Sequence, residues 1–387
     1  MISLLLTLIY ISFISLGLPD ALLGAAWPVM HQEFGVSVSL AGAISVTISA
    51  GTVASSLLSD RLTLKLGAGK VTAASVTLTA LALFGFSGST QFWHLLLWAI
   101  PYGLGAGSVD AALNNYVAVH YTSRHMSWLH CMWGLGASIG PYVLGSALTA
   151  GMTWNAGYSG IAVFQLCLAA VLFLSLPIWK KRGSDTAEEN SPPRAPLSLK
   201  RIFTIPGVKE VLIAFFCYCA AEQTAILWGS TYLVRHRGMA EETAAGFGSL
   251  FLIGITLGRF CNGFLTCKFT DRALIRLGQG IILLGILAMV LPLGAYGALA
   301  GLLLVGLGCA PIYPCVIHST PAHFGEENSQ AIIGVQMAAA YIGVCVMPPL
   351  FGILARFVSD SLLPVYIGAI TVLMIIMCER LNRVAGK

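Results

Sequence analysis

The sequence predicts an all-α membrane protein in which twelve transmembrane helices form two pseudo-symmetric six-helix bundles. Three observations support this fold class: the composition, a series of apolar runs, and a repeat between the two halves. Of the 387 residues, 57% are apolar and only 10% are charged, and the mean hydropathy is +0.83. So little polar surface cannot enclose a folded chain in water, which indicates that the chain folds in lipid.

Apolar runs recur along nearly the whole chain, and each can form a helix that crosses a hydrocarbon core about 30 Å thick. The first run has no basic segment before it and continues through Asp20 to Pro28, so we interpret it as a helix rather than a signal peptide. The predicted spans are 4–27, 37–59, 70–89, 92–118, 128–150, 157–179, 208–233, 244–267, 273–292, 295–319, 329–354 and 361–379.

Lysine and arginine residues concentrate in the loops on one side of the predicted membrane. If both termini are placed inside, only Arg235, Arg237 and Arg356 fall on the other side. The positive-inside rule therefore predicts a multi-pass protein of the inner (plasma) membrane with both termini in the cytoplasm. The net charge of +5 comes from these loops, so we expect lipid around the chain and no nucleic-acid partner.

The ten cysteines fall inside apolar runs and have neither a disulfide framework nor the CxxC spacing of a metal site. We interpret them as small packing residues. The sequence has no Walker-type glycine-rich loop, no HExxH and no nucleophile elbow. We therefore expect no enzymatic activity, no metal site and no cofactor.

One soluble stretch, rich in charge, proline and serine, divides the chain. It predicts an N-terminal bundle of residues 1–179, a cytoplasmic linker of residues 180–207 and a C-terminal bundle of residues 208–387. A shift of 203 residues superposes features of the two halves, which indicates an internal parallel repeat. The shift places Gly51 on Gly254, Gly103 on Gly306, Gly105 on Gly308, and Asp20 on Gln223.

Three carboxylates fall in the middle of predicted spans, where ionisable groups are costly and usually functional. Asp20 follows Pro19, and the proline predicts a broken helix whose carboxylate lines a cavity. The alternative is an acid near the outer interface that reaches water. Asp110 shares a helix face with Asn114, and a buried carboxylate there could exchange protons. The alternative is a carboxylate held by hydrogen bonds that tie the bundle together. The third is Glu222.

Other polar and aromatic residues in the spans are candidates for contact with a solute. His130 and Trp133 lie three residues apart on one helix face, although a lone histidine here also fits a hydrogen bond between helices. Tyr313 lies between two prolines that could bend its helix or form a gate. The full candidate set is Asn114, Asn115, His130, Trp133, Glu222, Gln223, Trp228, Tyr313 and Gln336.

A second set has the features of structural or gating residues. Glycines four residues apart let a neighbouring helix approach closely, and we interpret the arginine of this set as a structural cation that snorkels to the interface or locks a gate. The set is Asp60, Arg61, Gly136, Gly140, Pro141, Arg259 and Asn262.

Several motifs resemble those of the major facilitator superfamily. The loop between helices 2 and 3 carries a degraded form of that family's signature, with Ser56 in place of its first glycine. The helix 5 run Gly136-Ala-Ser-Ile-Gly140-Pro141 is similar to the family's small-residue and proline motif. The helix 1 aspartate, together with the helix 4 run from Gly103 to Asn114 (Gly-Leu-Gly-x-Gly-x-x-Asp-x-x-x-Asn), resembles the fucose and glucose proton symporters.

The resemblance implies secondary active transport. Asp20 would be the alternately protonated carrier, and Asp110 would couple protonation to sugar binding. We therefore expect proton-coupled symport of a neutral sugar or sugar-like solute by alternating access, in a monomer that uses a proton gradient and no cofactor. Two alternatives remain: a proton-driven exporter of drugs or metabolites, and a membrane sensor that binds a ligand without moving it.

Overall fold

The computed structural model describes residues 4–179 and 195–384. These two ranges are almost entirely helical and contain no strand. Most of the predicted linker, residues 180–194, lies outside them. The helices are α1 Leu4–Gly17, α2 Leu22–Glu33, α3 Ala41–Leu66, α4 Ala68–Ser87, α5 Phe92–His120, α6 Ser123–Thr149, α7 Trp154–Leu174, α8 Leu199–Ile202, α9 Val208–Arg237, α10 Glu241–Leu265, α11 Asp271–Val290, α12 Gly294–His318, α13 Thr320–Phe324, α14 Glu326–Phe357 and α15 Leu363–Val384.

Ten spans in the described ranges are long and apolar enough to cross a membrane, with α1 and α2 counted as one. The helices α6 and α10 bring the number to twelve, which confirms the predicted all-α, twelve-helix fold. The α6 helix is long enough, but it carries Arg124, His125 and His130 and is therefore less apolar. Several helices run beyond the predicted spans, because their polar ends continue the backbone hydrogen bonding past the apolar core.

The first span is interrupted where the sequence predicts it. The α1 helix ends at Gly17 and α2 begins at Leu22, so Asp20 lies in the turn between them. Pro19 lacks an amide hydrogen and cannot continue the α-helical hydrogen bonds. By contrast, α12 is helical without interruption through Pro311 and Pro314.

The described chain groups into two compact units. Among the described residues, the first contains 4–116, 132–179 and 195–197, and the second contains 117–131 and 198–384. The end of α5 and the start of α6 thus pack with the second unit, although the sequence places them in the first half. The ten cysteines are all free thiols.

In the first unit, an aromatic core joins α4, α5 and α7. The rings of Phe86 and Tyr158 stack with their centroids 5.7 Å apart, and the buried Trp154 meets Tyr158 edge-on at 5.8 Å. Gly103 of α5 faces the backbone of α3 so closely that a Cβ there would collide with the carbonyl oxygen of Ile48. Small residues therefore set the distance between α3 and α5.

In the second unit, glycines on facing sides of α11 and α12 allow these two helices to touch through their backbones. Gly278 faces the carbonyl of Gly308, and Gly285 faces the carbonyl of Gly301, each closer than a Cβ permits. This contact fixes the start of α11 beside the end of α12. Polar side chains at these two helix ends are thereby brought together.

Candidate functional site

The first unit holds a carboxylate site at the break between α1 and α2, and we call it the acid site. It consists of Asp20, Trp133 and Tyr102. The indole Nε1 of Trp133 donates a 2.7 Å hydrogen bond to Oδ2 of Asp20. Asp20 is exposed although it lies about midway along an apolar span. The buried Tyr102 side chain lies beside the same carboxylate.

Glycines bring Trp133 to this carboxylate. A Cβ at Gly17 would collide with the Trp133 carbonyl, and one at Gly136 or Gly140 would collide with the carbonyls of Ile14 or Leu18. The α1 and α6 backbones therefore touch along two turns, as expected for glycines four residues apart. Because α6 lies directly on the end of α1, its indole reaches into the break.

Asp110 lies in a packed part of α5. Its Oδ1 accepts a 2.8 Å hydrogen bond from Nδ2 of Asn114, and the side chains are 5% and 0% exposed. Asn115, the neighbouring candidate, is half-buried. This pairing is the one expected if Asp110 is held by hydrogen bonds that tie the bundle together, which was the alternative to proton exchange.

The second unit holds a polar cluster around a buried arginine, and we call it the guanidinium cluster. Arg259 of α10 is only 2% exposed and lies 3.7 Å from the carboxylate of Glu222 on α9. Its Nη2 also donates a 3.4 Å hydrogen bond to the Tyr218 hydroxyl. The expectation that Arg259 snorkels to the interface is therefore wrong, because the carboxylate on α9 offers the guanidinium a partner inside the bundle.

Aromatic rings surround this arginine. The Tyr313 ring lies 4.4 Å from the ring of His130 and 4.8 Å from the ring of Phe215, measured between centroids. The Arg259 guanidinium lies 5.7 Å from the Tyr313 ring centre, within the range of a cation–π interaction. The Tyr313 hydroxyl donates to Sδ of Met337 at 3.3 Å. Polar and aromatic groups of five helices thus converge here.

Several predicted contact residues hold helices together in the structure. The Trp228 indole donates to the carbonyl of Pro348 at 2.9 Å, and the Gln336 side chain accepts from Thr320 at 3.0 Å. Asn262, predicted as a structural or gating residue, donates to the Ser127 hydroxyl at 2.8 Å. Gln223, beside Glu222, is half-buried.

The signature residues Asp60 and Arg61 lie on α3 rather than in the predicted loop after it, because the helix continues to Leu66. Asp60 is buried, and its Oδ2 accepts a 3.1 Å hydrogen bond from the backbone amide of Leu197. Arg61 is exposed, and Pro141 is half-buried. Asp60 therefore holds Leu197, a residue near the C-terminal end of the predicted linker, against the first unit.

Sequence reasoning missed Tyr218, Phe215 and Tyr102. Tyr218 precedes Glu222 by four residues and so shares its helix face, and this spacing is the signal that could have identified it. The other two are aromatic residues within apolar runs, where nothing in the sequence distinguishes them from core residues.

A second missed group lies where α11 begins, and we call it the α11 tie. Oδ1 of Asp271 accepts a 2.5 Å hydrogen bond from the Ser123 hydroxyl. Its Oδ2 lies 2.6 Å from Nδ1 of His318, and Nε2 of His318 lies 3.3 Å from the carbonyl oxygen of Tyr121. The start of α6 and the end of α12 are thus held together through one carboxylate.

The family model of the Major Facilitator Superfamily matches residues 9–348. An uncharacterized MFS-type transporter of Yersinia pestis is 23% identical over 369 residues, with 91% of this chain and 89% of the relative covered. The 4-hydroxybenzoate transporter PcaK of Pseudomonas putida is 24% identical over 370 residues, with 84% and 81% covered.

Among solved structures, the chain is similar to FucP, the fucose:proton symporter of Escherichia coli, in its outward conformation. The TM-score is 0.74 at 17% sequence identity, with 97% of this chain and 98% of that chain covered. This likeness concerns the fold. Because the family match extends over most of the sequence and the helices repeat the family's architecture, the chain belongs to the Major Facilitator Superfamily, a family of multi-pass membrane transporters for small solutes rather than of enzymes.

Proposed function

We propose that this protein is a proton-coupled symporter of a small neutral, sugar-like solute and that Asp20 is its proton carrier. The observation that carries the proposal is the exposed Asp20 carboxylate in a helix break halfway through an apolar span, held by the Trp133 indole. A carboxylate at this depth is costly to maintain and is typical of proton pathways. The similarity to a fucose:proton symporter supports the same class.

Protonation changes which hydrogen bonds Asp20 can make. The ionised carboxylate only accepts hydrogen bonds, as it does from Trp133, whereas the protonated acid offers one O–H donor. A solute hydroxyl that binds here therefore meets a different partner in each protonation state. By linkage, any solute that prefers one state also changes the proton affinity of Asp20 by the same free energy.

The guanidinium cluster is the corresponding candidate for solute contact in the second unit. Tyr218, Tyr313 and His130 offer both ring faces and polar groups, which suit the CH faces and hydroxyls of a sugar. Asp110 is proposed as a positioning residue, since its carboxylate is hydrogen-bonded to Asn114. We place the protein in the inner membrane as a monomer, with both termini in the cytoplasm and the proton gradient as its energy source.

A second candidate function is proton-coupled transport of an organic acid. Two observations favour it: the buried Arg259 beside an aromatic wall, and the likeness to a 4-hydroxybenzoate transporter. The Arg259–Glu222 distance of 3.7 Å exceeds that of a close charge-assisted hydrogen bond. A solute carboxylate could therefore compete with Glu222 for the guanidinium while its ring packs on Tyr313.

One transport assay separates these candidates. Purified protein is reconstituted in vesicles that contain a pH indicator, and hexoses, deoxyhexoses and 4-hydroxybenzoate are added in turn. We expect a sugar to drive proton uptake that Asp20→Asn abolishes and that the matched control Asp360→Asn leaves intact. Proton uptake driven only by 4-hydroxybenzoate and lost in Arg259→Gln would select the organic-acid candidate. Extrusion of a lipophilic cation would replace both with an exporter.

A further inference from the structure

The second unit contains a cavity apart from the guanidinium cluster, and we call it the α11 cavity. It lies at the end of the unit where α11 begins and α15 ends, and its volume is about 310 Å³. Its apolar side is formed by residues such as Val211, Ile275 and Leu381, and its polar side by α11, α13 and α15. This volume is at the lower end of the range for small-molecule sites.

A buried amide in the cavity wall lacks a hydrogen bond. Gln279 of α11 is 3% exposed, and its Nε2 has no hydrogen-bond partner among the described residues. The neighbouring Cys378 thiol offers this amide at most a weak acceptor. A buried donor without a partner is costly and uncommon, so an acceptor supplied by a ligand would relieve this cost.

Both carboxylates of the cavity wall are already hydrogen-bonded, whereas one of its two arginines makes no hydrogen bond to them. Arg276 makes two hydrogen bonds, of 2.7 and 2.6 Å, to the two oxygens of Glu379. Arg272 reaches the same carboxylate only at 3.9 Å, beyond hydrogen-bond distance, and is 52% exposed. Both oxygens of Asp271 are engaged in the α11 tie. Arg272 and Gln279 therefore present donors to the cavity while the acceptors are occupied.

His323 of α13 adds a further polar atom. Its Nδ1 is buried and has no hydrogen-bond partner among the described residues. Depending on the tautomer, this nitrogen donates or accepts, and both ring nitrogens donate when the ring is protonated. The His323 ring can therefore complete an anion site without adding a fixed charge.

We propose that the α11 cavity binds a small organic monoanion. The anionic group lies between Arg272 and Gln279, and the apolar part packs against Val211 and Ile275. A bare inorganic anion would satisfy the donors but leave the apolar wall wet, and a neutral alcohol would offer no negative charge to the Arg272 guanidinium. The site shares no residue with the acid site or the guanidinium cluster and is independent of the proposed transport function.

Calorimetry on the full chain in nanodiscs tests this proposal, with hexanoate as the probe and hexanol as the neutral analogue. We expect hexanoate to bind to the native protein and hexanol to bind at least about tenfold more weakly, because a hydrogen bond to a charged group contributes that much. Arg272→Gln and Gln279→Leu should each weaken hexanoate binding by about tenfold. Arg356→Gln, which removes an exposed arginine outside the cavity, should have no effect.

Three results would overturn the proposal. Hexanoate that fails to bind to the native protein would mean that the cavity holds only water. Equal binding of hexanoate and hexanol, or equal hexanoate binding by native protein and both cavity variants, would indicate partition into lipid. Gln279→Leu can also be tested without a ligand. Because the substitution removes an unsatisfied buried amide, the melting temperature should stay the same or rise.

Discussion

The indole nitrogen of Trp133 donates a 2.7 Å hydrogen bond to the Asp20 carboxylate across the break between α1 and α2. The donor belongs to α6 and the acceptor to the turn after α1, two segments more than a hundred residues apart in sequence. Their contact gives the proposed proton carrier a fixed partner.

Trp133→Phe should keep the aromatic packing and remove the hydrogen bond. Because hydrogen bonds to charged groups contribute about 1.5–3 kcal/mol, we expect the apparent solute affinity to fall roughly tenfold or more and the pH profile of uptake to shift. Uptake as a function of external pH measures both. The control is Trp93→Phe, which alters an exposed indole. An unchanged pH profile in Trp133→Phe would remove this contact from the mechanism.

Gly136→Ala should destabilise the first unit. The new methyl group would collide with the carbonyl oxygen of Ile14, and overpacking of this kind typically costs about 1–3 kcal/mol. Gly145→Ala on the same helix is the matched control, because nothing lies within 4 Å of its Cβ position. There, alanine should be neutral or stabilising by up to about 1 kcal/mol. Thermal unfolding in detergent measures the difference, and equal melting temperatures would contradict the close contact.

Removal of one member of the buried Arg259–Glu222 pair should destabilise the protein more than removal of both. A buried charge that loses its partner costs about 3–5 kcal/mol, whereas a neutral pair avoids this penalty. We therefore expect Arg259→Gln and Glu222→Gln each to lower the unfolding temperature and the double variant to recover part of the loss. Strictly additive effects would show that the two side chains do not interact.

Asp271→Asn should weaken the α11 tie. The substitution removes the charge that holds Ser123 and His318, so we expect a loss of about 1.5–3 kcal/mol. Glu241→Gln is the control, because Glu241 is also the first residue of a long helix but is exposed. A comparison of unfolding temperatures separates the tie from a general effect of helix-terminal charge. Equal losses in the two variants would mean that the tie adds no stability.

Hexanoate binding should strengthen as the pH falls. Burial lowers the pKa of His323 from its ordinary value of 6.5, and Arg272 lowers it further while Asp271 raises it. The ring is therefore neutral at pH 7, and an anion in the cavity favours its protonated form. Of the groups that line the cavity, Arg276 and Glu379 are the other charged ones, and they are paired with each other.

Calorimetry across a pH range in which hexanoate stays ionised measures this effect. His323→Gln should flatten the pH dependence. Without ligand, the lowered pKa of His323 affects folding stability in the opposite sense. The unfolded chain takes up the proton more readily than the folded chain, so the free energy of unfolding falls as the pH drops. A hexanoate affinity that does not change with pH would exclude His323 from the site.

The sequence determined the membrane fold and the break beside Asp20. In lipid, a spanning segment satisfies its backbone hydrogen bonds only as a helix or as part of a closed β-barrel, and runs of this length indicate helices. Composition and run length therefore predict the spans. Pro19 removes a backbone donor, which places the break within a few residues. The sequence also identified the glycines of α6, because a small residue repeated every fourth position is itself the signal.

The tertiary structure decided which groups contact the three carboxylates. Asp20, Asp110 and Glu222 look alike in sequence, yet one meets an indole, one an asparagine on its own helix, and one a buried arginine. Only the Asn114 contact is local enough for a sequence to predict. The unsatisfied Gln279 was equally hidden, because a side chain lacks a partner only in relation to the helices packed around it. Helix spans follow from local hydropathy, whereas contacts between helices depend on how distant backbones approach one another.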